Sequence, residues 1–492
     1  MGKKGLIGRW GFYNVILQEL LVKKDRRIIM KKYDIIVAGA GAAGVFMAYE
    51  MTKLNVDASV LVIDKGAPLE KRVCPIKLGK TKQCITCSPC HIMNGYGGAG
   101  TLSDGKYNIT TQFGGDLHKY VGDEKAMELM EYVDHVLCSM GGSDAKLYST
   151  GNSDLKTKCL QNNLHLLSAK VRHLGTDRNI RILGKIYEYI KENIDMQFYT
   201  CVTGVEKLED GTFKVTTSKG DEYICNDMVL ATGRSGSKWI SEICDQMGIK
   251  QEKNRVDIGV RVELPAEVFK SITDEVYESK IVYKTKKYND NVRTFCMNPY
   301  GEVVSENTNG IVTVNGHSYA DKALHTENTN FALLVSNRFT EPFKDSNEYG
   351  ESIARLSNML GGGVIMQRFG DLEKGRRSSA RRMEKCFTRP TLDATPGDLS
   401  LVIPKRQLDS IIEMIYALDK IAPGTANEDT LLYGVEVKFY NSKVEVDENL
   451  ETEVKGLYAL GDGSGVTHSL SQASASGVYI ARIFADKYNR RG

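Results

Sequence analysis

One short stretch constrains the fold more than any other: Gly39-Ala40-Gly41-Ala42-Ala43-Gly44, set between a β-branched run and a helical one. Tyr33–Ala38 reads as a buried parallel strand, residues from about Ala42 to Leu54 as a helix, and Ser59–Ile63 as a second strand ending at Asp64. Together they form a βαβ unit of about the minimum length. In a G-x-G-x-x-G turn at this place the first glycine permits the tight turn. The second lets a pyrophosphate approach the backbone, and the third lets helix and strand pack closely. The helix N-terminus supplies positive potential for the phosphates. Asp64, twenty residues after Gly44, stands where a carboxylate accepts hydrogen bonds from ribose hydroxyls. The alternative is a purely structural strand turn.

The turn alone does not separate FAD from NAD. Two later segments do. Met228–Gly233 is a strand running into the small-residue turn Ala231-Thr232-Gly233, and Leu457–Leu460 is a strand ending in Gly461-Asp462. The three segments together resemble the glutathione-reductase-like class of two-dinucleotide-binding flavoproteins. That resemblance implies that Asp462 hydrogen-bonds the ribitol of FAD. It also implies that Gly463–Gly477 sets a helix N-terminus against the flavin C2 carbonyl and N1, where the dipole favours negative charge on the reduced ring. Val202 then sits by the adenine. The implied cofactor set is Gly39, Gly41, Ala43, Gly44, Asp64, Lys65, Gly98, Ser103, Val202, Thr232, Gly233, Gly461, Asp462, Gln472 and Gly477.

A closer resemblance runs from Met30 to near the end of the chain. Gly97-Gly98-Ala99-Gly100-Thr101-Leu102-Ser103-Asp104-Gly105-Lys106 is similar to the G-G-A-G-x-x-S-D-G-K segment of a poorly characterised FAD-dependent dehydrogenase family. His173-Leu174-Gly175-Thr176, Phe295-Cys296-Met297 and Asn315-Gly316-His317-Ser318 match further segments of it. The chain departs after Met297, where Asn298-Pro299-Tyr300-Gly301 replaces the family's Cys-Pro-Gly-Gly, a change expected to alter the substrate pocket. The fold implied is α/β, with a discontinuous Rossmann-type FAD-binding domain and an inserted α+β substrate domain.

The expected division is 1–29 an N-terminal extension, 30–113 the first FAD-binding part with a cysteine-rich loop, and 114–255 a helical segment with the second part. Residues 256–430 are the substrate domain and 431–492 the third FAD-binding part. Gly114–Asn193 reads as mostly helical, and Val256–Val262, Lys280–Tyr283 and Gly310–Val314 read as a second, mixed sheet. A final helix is expected from Val466 to about Tyr488. The 492 residues fit two or three domains. Residues 1–29 read as a basic extension with Met30 opening the domain proper; the alternative is a surface helix meeting a membrane or a partner.

With 65 basic against 62 acidic residues, the net charge of +3 gives no support to a nucleic-acid surface. No run reaches the ~18–20 apolar residues that span a bilayer. Eleven cysteines without a secretory pattern point to a reducing cytoplasm. Four of them cluster: Cys74-Pro75, then Cys84-x-x-Cys87-x-x-Cys90. Thiolates so spaced can converge on one centre, a [4Fe–4S] cluster or zinc, and unligated thiols are the remaining reading. A cluster here would lie near the flavin and could pass it single electrons.

For catalysis, His173, His317 and His468 lie in motif-bearing loops as candidate proton donors, each with a structural alternative. Arg377, in the charged stretch Gln367–Ser378, can hold a carboxylate or phosphate, or end a solvated helix. Glu436 is similarly ambiguous. No second G-x-G-x-x-G follows a strand, and Gly361-Gly362-Gly363 lacks that context. Electrons are therefore expected from a diffusible or ferredoxin-like donor, or through the cysteine cluster. The leading expectation is an oxidoreductase moving a hydride between flavin N5 and an organic substrate, a C=C reductase or dehydrogenase. The alternatives are a flavin-dependent monooxygenase and a flavin-bearing RNA-modification or sensor protein.

Overall fold

The computed structural model describes residues 30–491 apart from positions 76–77, 82–84, 86, 152, 309, 320 and 340–344. The readings of residues 1–29 and of Cys84 lie outside the described residues.

The β-branched run becomes the strand Lys31–Ala38, buried from Ile35 to Ala38. It is apolar on both faces because it lies inside a sheet. Val60–Ile63 pairs with it in parallel on one side and Glu222–Leu230 on the other. Leu457–Ala459 extends the parallel set beyond Glu222–Leu230, and Asp195–Gln197 beyond Val60–Ile63. The start of Glu222–Leu230 instead pairs antiparallel with Phe213–Thr217, which pairs with Val202–Lys207. The result is a seven-stranded sheet of Rossmann type, assembled from separated stretches of chain.

Helices cover both faces of this sheet. Ile35, Val37, Val60 and Val62 pack with Phe46 and Met47 of helix Ala42–Lys53 and with Val478 and Ala481 of helix Leu470–Tyr488. Alternate residues Ile36, Ala38, Leu61 and Ile63 face Ile240, Ile243 and Cys244 of helix Ser237–Met247. Burying each large aliphatic side chain contributes ~1.5–3 kcal/mol.

The second sheet has eight strands. At its centre Val256–Pro265 pairs antiparallel with Asn328–Asn337 on one side and Leu431–Phe439 on the other. Val256, Ile258, Val260 and Val262 face the apolar stripe Leu408, Ile411, Ile415 and Leu418 of helix Lys405–Asp419. The alternate residues Asp257, Arg261 and Glu263 are polar, and all three are fully buried. Alternation of this kind normally marks a solvent face; here the polar face is a covered wall.

Three sequence expectations change and a fourth is refined. Gly310–Val314 does not join the second sheet: Ile311–His317 forms a separate hairpin with Glu302–Thr308. The boundary at residue 431 would cut the second sheet from a central strand, since Leu431–Phe439 pairs with Val256–Glu263. Gly114–Asn193 is mostly helical as expected but also holds the short strands Leu147–Ser149, Leu164–Leu166 and Lys170–His173, and Leu164–Leu166 closes an edge of the second sheet. The last helix begins at Leu470, not Val466, because Ser469 caps it: its Oγ accepts from Gln472 N at 3.2 Å.

Candidate functional site

The two sheets meet at a cavity of about 1170 Å³, walled at one end by the glycine turn and at the other by the second sheet. At the first end the backbone does most of the building. Gly39 has φ +112°, and a Cβ there would lie 2.3 Å from Ala231 O. Gly44 packs against Gly39 O, where a Cβ would come within 2.2 Å. Gly41 differs: the nearest atom to a Cβ there is 3.9 Å away, so a side chain would project into open cavity. Bare backbone at that position leaves room for a pyrophosphate at the N-terminus of helix Ala42–Lys53.

Asp64 lines the same end. Its Oδ2 accepts from Ala40 N at 2.9 Å and its Oδ1 from Gly66 N at 2.7 Å, so two turns fix the carboxylate. Lys65, Val202, Thr232 and Gly233 complete this end, and Lys65 Nζ donates to Ser235 O at 3.3 Å. Thr232 Oγ1 is buried and has no hydrogen-bond partner among the described residues. An unsatisfied hydroxyl beside a bare glycine turn fits a polar dinucleotide.

Midway along the cavity, Asp462 follows the strand Leu457–Ala459 and Gly461. Arg234 Nε lies 2.9 Å from its Oδ2, and His468 Nδ1 lies 3.1 Å from its Oδ1. Burial disfavours the charged carboxylate, but Arg234 and His468 outweigh it and hold Asp462 below its ordinary range. His468 also meets the Tyr440 ring edge-on, with centroids 5.0 Å apart. The segment Gly97–Lys106 forms the adjoining wall: Gly98 approaches Gly41, and Ser103 Oγ donates to Gly100 O at 2.6 Å.

The structure gathers most of the sequence-derived set around this one cavity: Gly39, Gly41, Ala43, Asp64, Lys65, Gly98, Ser103, Val202, Thr232, Gly233, Gly461 and Asp462 all line it. Three others it uses differently. Gly44 is a packing position, as above. Gly477 is the point where the last helix crosses Ala42–Lys53, for a Cβ there would lie 2.1 Å from Ala43 O. Gln472 is a latch: its Nε2 donates to Thr110 O at 3.2 Å and Phe113 O at 3.1 Å, fixing the loop before Gly114.

The catalytic candidates also separate. His468 and His317 line the cavity. His173 stands behind the wall, stacked on Tyr277 with centroids 4.7 Å apart. Burial, aided by the neighbouring Lys106 ammonium, pushes it down to about 4, so it is neutral near pH 7. Arg377 is exposed and is not brought to the cavity. Its stretch folds around buried Asp371, which accepts from Arg376 Nε at 2.7 Å and Ser378 Oγ at 2.8 Å. Asp371 thus takes up the Arg376 charge within the stretch.

At the second-sheet end the wall is made of side chains. Arg261, fully buried, donates to Cys296 O at 2.7 Å, Asn315 Oδ1 at 2.8 Å and Glu436 Oε1 at 2.9 Å. Lys106, Lys280, Arg293, Phe295, Lys438 and Tyr440 line the cavity there. Apart from Lys106 and Phe295, which lie in quoted motif segments, no sequence pattern marks them. They come from three stretches of chain, Lys106, Lys280–Phe295 and Lys438–Tyr440, which the fold brings to one wall.

Of the cysteine cluster, Cys74, Cys87 and Cys90 are half-buried free thiols, and Cys84 lies outside the described residues. Among the described residues no group of three or more His, Cys, Asp or Glu side chains is arranged to hold a metal. No described helix is long and apolar enough to cross a membrane.

Residues 255–439, which carry every strand of the second sheet except Leu164–Leu166, match the model of a family described as FAD-dependent protein, C-terminal domain-like. Over 481 residues the chain is 25% identical to an uncharacterised protein of Clostridium beijerinckii, covering 92% of this chain and 81% of that one. Among solved structures it is similar to the 3-ketosteroid-Δ4-(5α)-dehydrogenase of Rhodococcus jostii RHA1, at 13% identity and a TM-score of 0.43, covering 92% of this chain and 97% of that one. It is also similar to the L-proline dehydrogenase of P. horikoshii, at 14% identity and a TM-score of 0.40, covering 94% and 95%.

Proposed function

We propose that this protein is an FAD-dependent oxidoreductase that moves a hydride between the flavin and an organic molecule held against the second sheet. The observation that carries this reading is the single cavity joining the glycine-turn cradle to a wall of polar side chains. When bound, FAD supplies hydride transfer at N5. Gly41 and the helix behind it receive the pyrophosphate, Asp64 the ribose, and Asp462, held by Arg234 and His468, the ribitol. His468 is placed to move a proton at its free ring nitrogen, because Asp462 fixes the other one. His317, on the opposite hairpin, is the second candidate. His173, neutral and stacked on Tyr277, is not placed to act as an acid.

Denaturing the purified protein and identifying the released flavin by chromatography tests the reading. FAD is expected; FMN, or no flavin after reconstitution, overturns it. Gly41→Leu is expected to lose flavin while keeping its fold, since the added side chain meets only the cradle. The finer proposal of a [4Fe–4S] centre on Cys74, Cys84, Cys87 and Cys90 is supported by their spacing alone. The same preparation, made without oxygen, is expected to contain about four iron and four sulfide per chain; zinc alone makes the site structural, and no metal removes it.

A further inference from the structure

At the second-sheet end of the cavity one aromatic ring carries three cations. Lys438 Nζ lies 4.2 Å from the Phe295 ring centroid, Lys280 Nζ 4.4 Å and the Arg293 guanidinium carbon 4.8 Å. All four residues line the cavity. Gathering like charges in a partly desolvated wall is unfavourable unless counter-charges are supplied.

Two of the three have them. Lys280 Nζ lies 2.9 Å from Glu278 Oε1, and Arg293 Nη2 lies 2.6 Å from Asp257 Oδ2. The neighbouring Lys106 is paired with Asp104 at 3.0 Å. Lys438 forms no ion pair among the described residues; its contacts are the faces of Phe295 and of Tyr440, the latter at 5.2 Å. A ring face compensates an ammonium far less than a carboxylate does.

We propose that this end of the cavity binds the substrate as an organic carboxylate, with Lys438 as its counter-ion and the Phe295 and Tyr440 rings flanking its apolar body. This assignment deepens the oxidoreductase reading above and rests on it for the word substrate. An anion seated here neutralises the one of these three cations that has no carboxylate partner among the described residues. It would also face His468, which meets the same Tyr440 ring, so the carboxylate end and the proton-moving group share one wall.

The charge state of Lys438 agrees with this. Burial, together with Arg293 and Lys280 across the sheet, lowers it to about 7; Asp257, its strand partner, and Asp462 from the flavin turn push the other way. Arg255 faces the neighbouring Tyr440 ring, and Glu436, two residues back on the same strand, is taken up by Arg261. An arriving carboxylate favours the protonated ammonium, so carboxylate affinity is expected to weaken as pH rises above about 7.

The test uses purified holoenzyme and a matched pair of probes, benzoate and benzamide, which share shape and differ in charge, with acetate and succinate as smaller carboxylates. Binding is read by flavin absorbance and by calorimetry at pH 6. Benzoate or one of the other carboxylates is expected to bind, and benzamide to bind far more weakly. Lys438→Gln is expected to weaken carboxylate binding by roughly 10- to 100-fold, the usual worth of a charge-assisted contact. Lys438→Arg is expected to restore it and to remove its decline above pH 7. Equal binding of benzoate and benzamide, no binding of any carboxylate, or a Lys438→Gln protein that alters flavin retention yet not carboxylate affinity overturns the assignment. Protein without flavin would sink the oxidoreductase reading alone, because calorimetry still measures the carboxylate.

Discussion

The two ends of the cavity are built on opposite principles. The dinucleotide end is mostly backbone: a bare glycine turn, a helix N-terminus, and two main-chain N–H groups that hold Asp64. The second-sheet end is mostly side chain: Lys106, Lys280, Arg293 and Lys438 line it, and fully buried Arg261 is bonded to Cys296 and Asn315 of the same wall. A backbone site tolerates little change at its glycines and is indifferent to much else. A side-chain site depends on pairwise charge balance, so its failures are electrostatic. Substitutions at each end should therefore fail in different ways.

The largest effect is expected at Arg261. It is fully buried, and its Nε lies 2.8 Å from Glu436 Oε2. Arg261→Met leaves Glu436 as an uncompensated buried acid, which ordinarily costs ~3–5 kcal/mol. The double variant Arg261→Met, Glu436→Leu is expected to be more stable than the single one, because it removes both charges. Burial already pushes Glu436 up to about 7 with Arg261 present, from an ordinary 4.5; losing Arg261 moves it further up. A raised folded value means that the folded state holds the proton more tightly. The single variant should then lose stability from about pH 4.5 upward and keep losing it above 7, where the unsubstituted protein levels off. Urea unfolding across that range checks both statements, and a flat pH response would break the proposed contrast.

A smaller, purely local effect is expected at Asp462. Asp462→Ala removes the partner of Arg234 and His468 at the middle of the cavity. If the ribitol contact is a charge-assisted hydrogen bond of ~1.5–3 kcal/mol, FAD affinity should fall by roughly one to two decades. Stability of the flavin-free protein should change much less, since the Asp462 side chain is partly exposed to the cavity. Titrating apoprotein with FAD measures the first quantity and urea unfolding the second. An unchanged dissociation constant in a folded variant rejects the ribitol assignment.

The same contrast explains what could be read from sequence. A backbone site requires particular residues at fixed short spacings, so Gly39, Gly41, Gly44 and Asp64 declare it within one βαβ unit. The apolar strands Lys31–Ala38 and Glu222–Leu230 were legible for a related reason: burial on both faces leaves few alternatives. Lys280, Arg293 and Lys438 carry no such signature. Lys280 precedes the strand Ile281–Lys284, whose partner strand carries Arg293 and Phe295, and Lys438 reaches the same ring from Leu431–Phe439, far along the chain. Gly310–Val314 failed similarly. An alternating strand shows that it has two faces but not which sheet it joins. Arg377 shows the converse hazard: it is exposed away from the cavity, in a charge-rich motif where Arg376 pairs with the protein's own Asp371.

The smallest effect is expected where the backbone end depends on a single side chain. Ser469 precedes the last helix, and its Oγ accepts from Gln472 N at 3.2 Å. Both Ser469 and Leu470 line the cavity, so the cap holds the helix start at the flavin end. Ser469→Ala removes one capping bond, ordinarily worth ~1 kcal/mol. It removes no charge, so unlike the Arg261 variant its loss relative to the unsubstituted protein should not vary with pH. Trp239 reports on this half of the molecule, lining the cavity with its Nε1 donating to Thr203 O at 3.3 Å. In a Trp10→Phe background it is the one remaining tryptophan of the two in the sequence. Urea unfolding followed by its fluorescence should show a loss of ~1 kcal/mol, with carboxylate binding at the Lys438 end untouched. A loss several times larger, or one that varies with pH, would mean that the cap acts through the charged wall, and the division between the two ends would have to be redrawn.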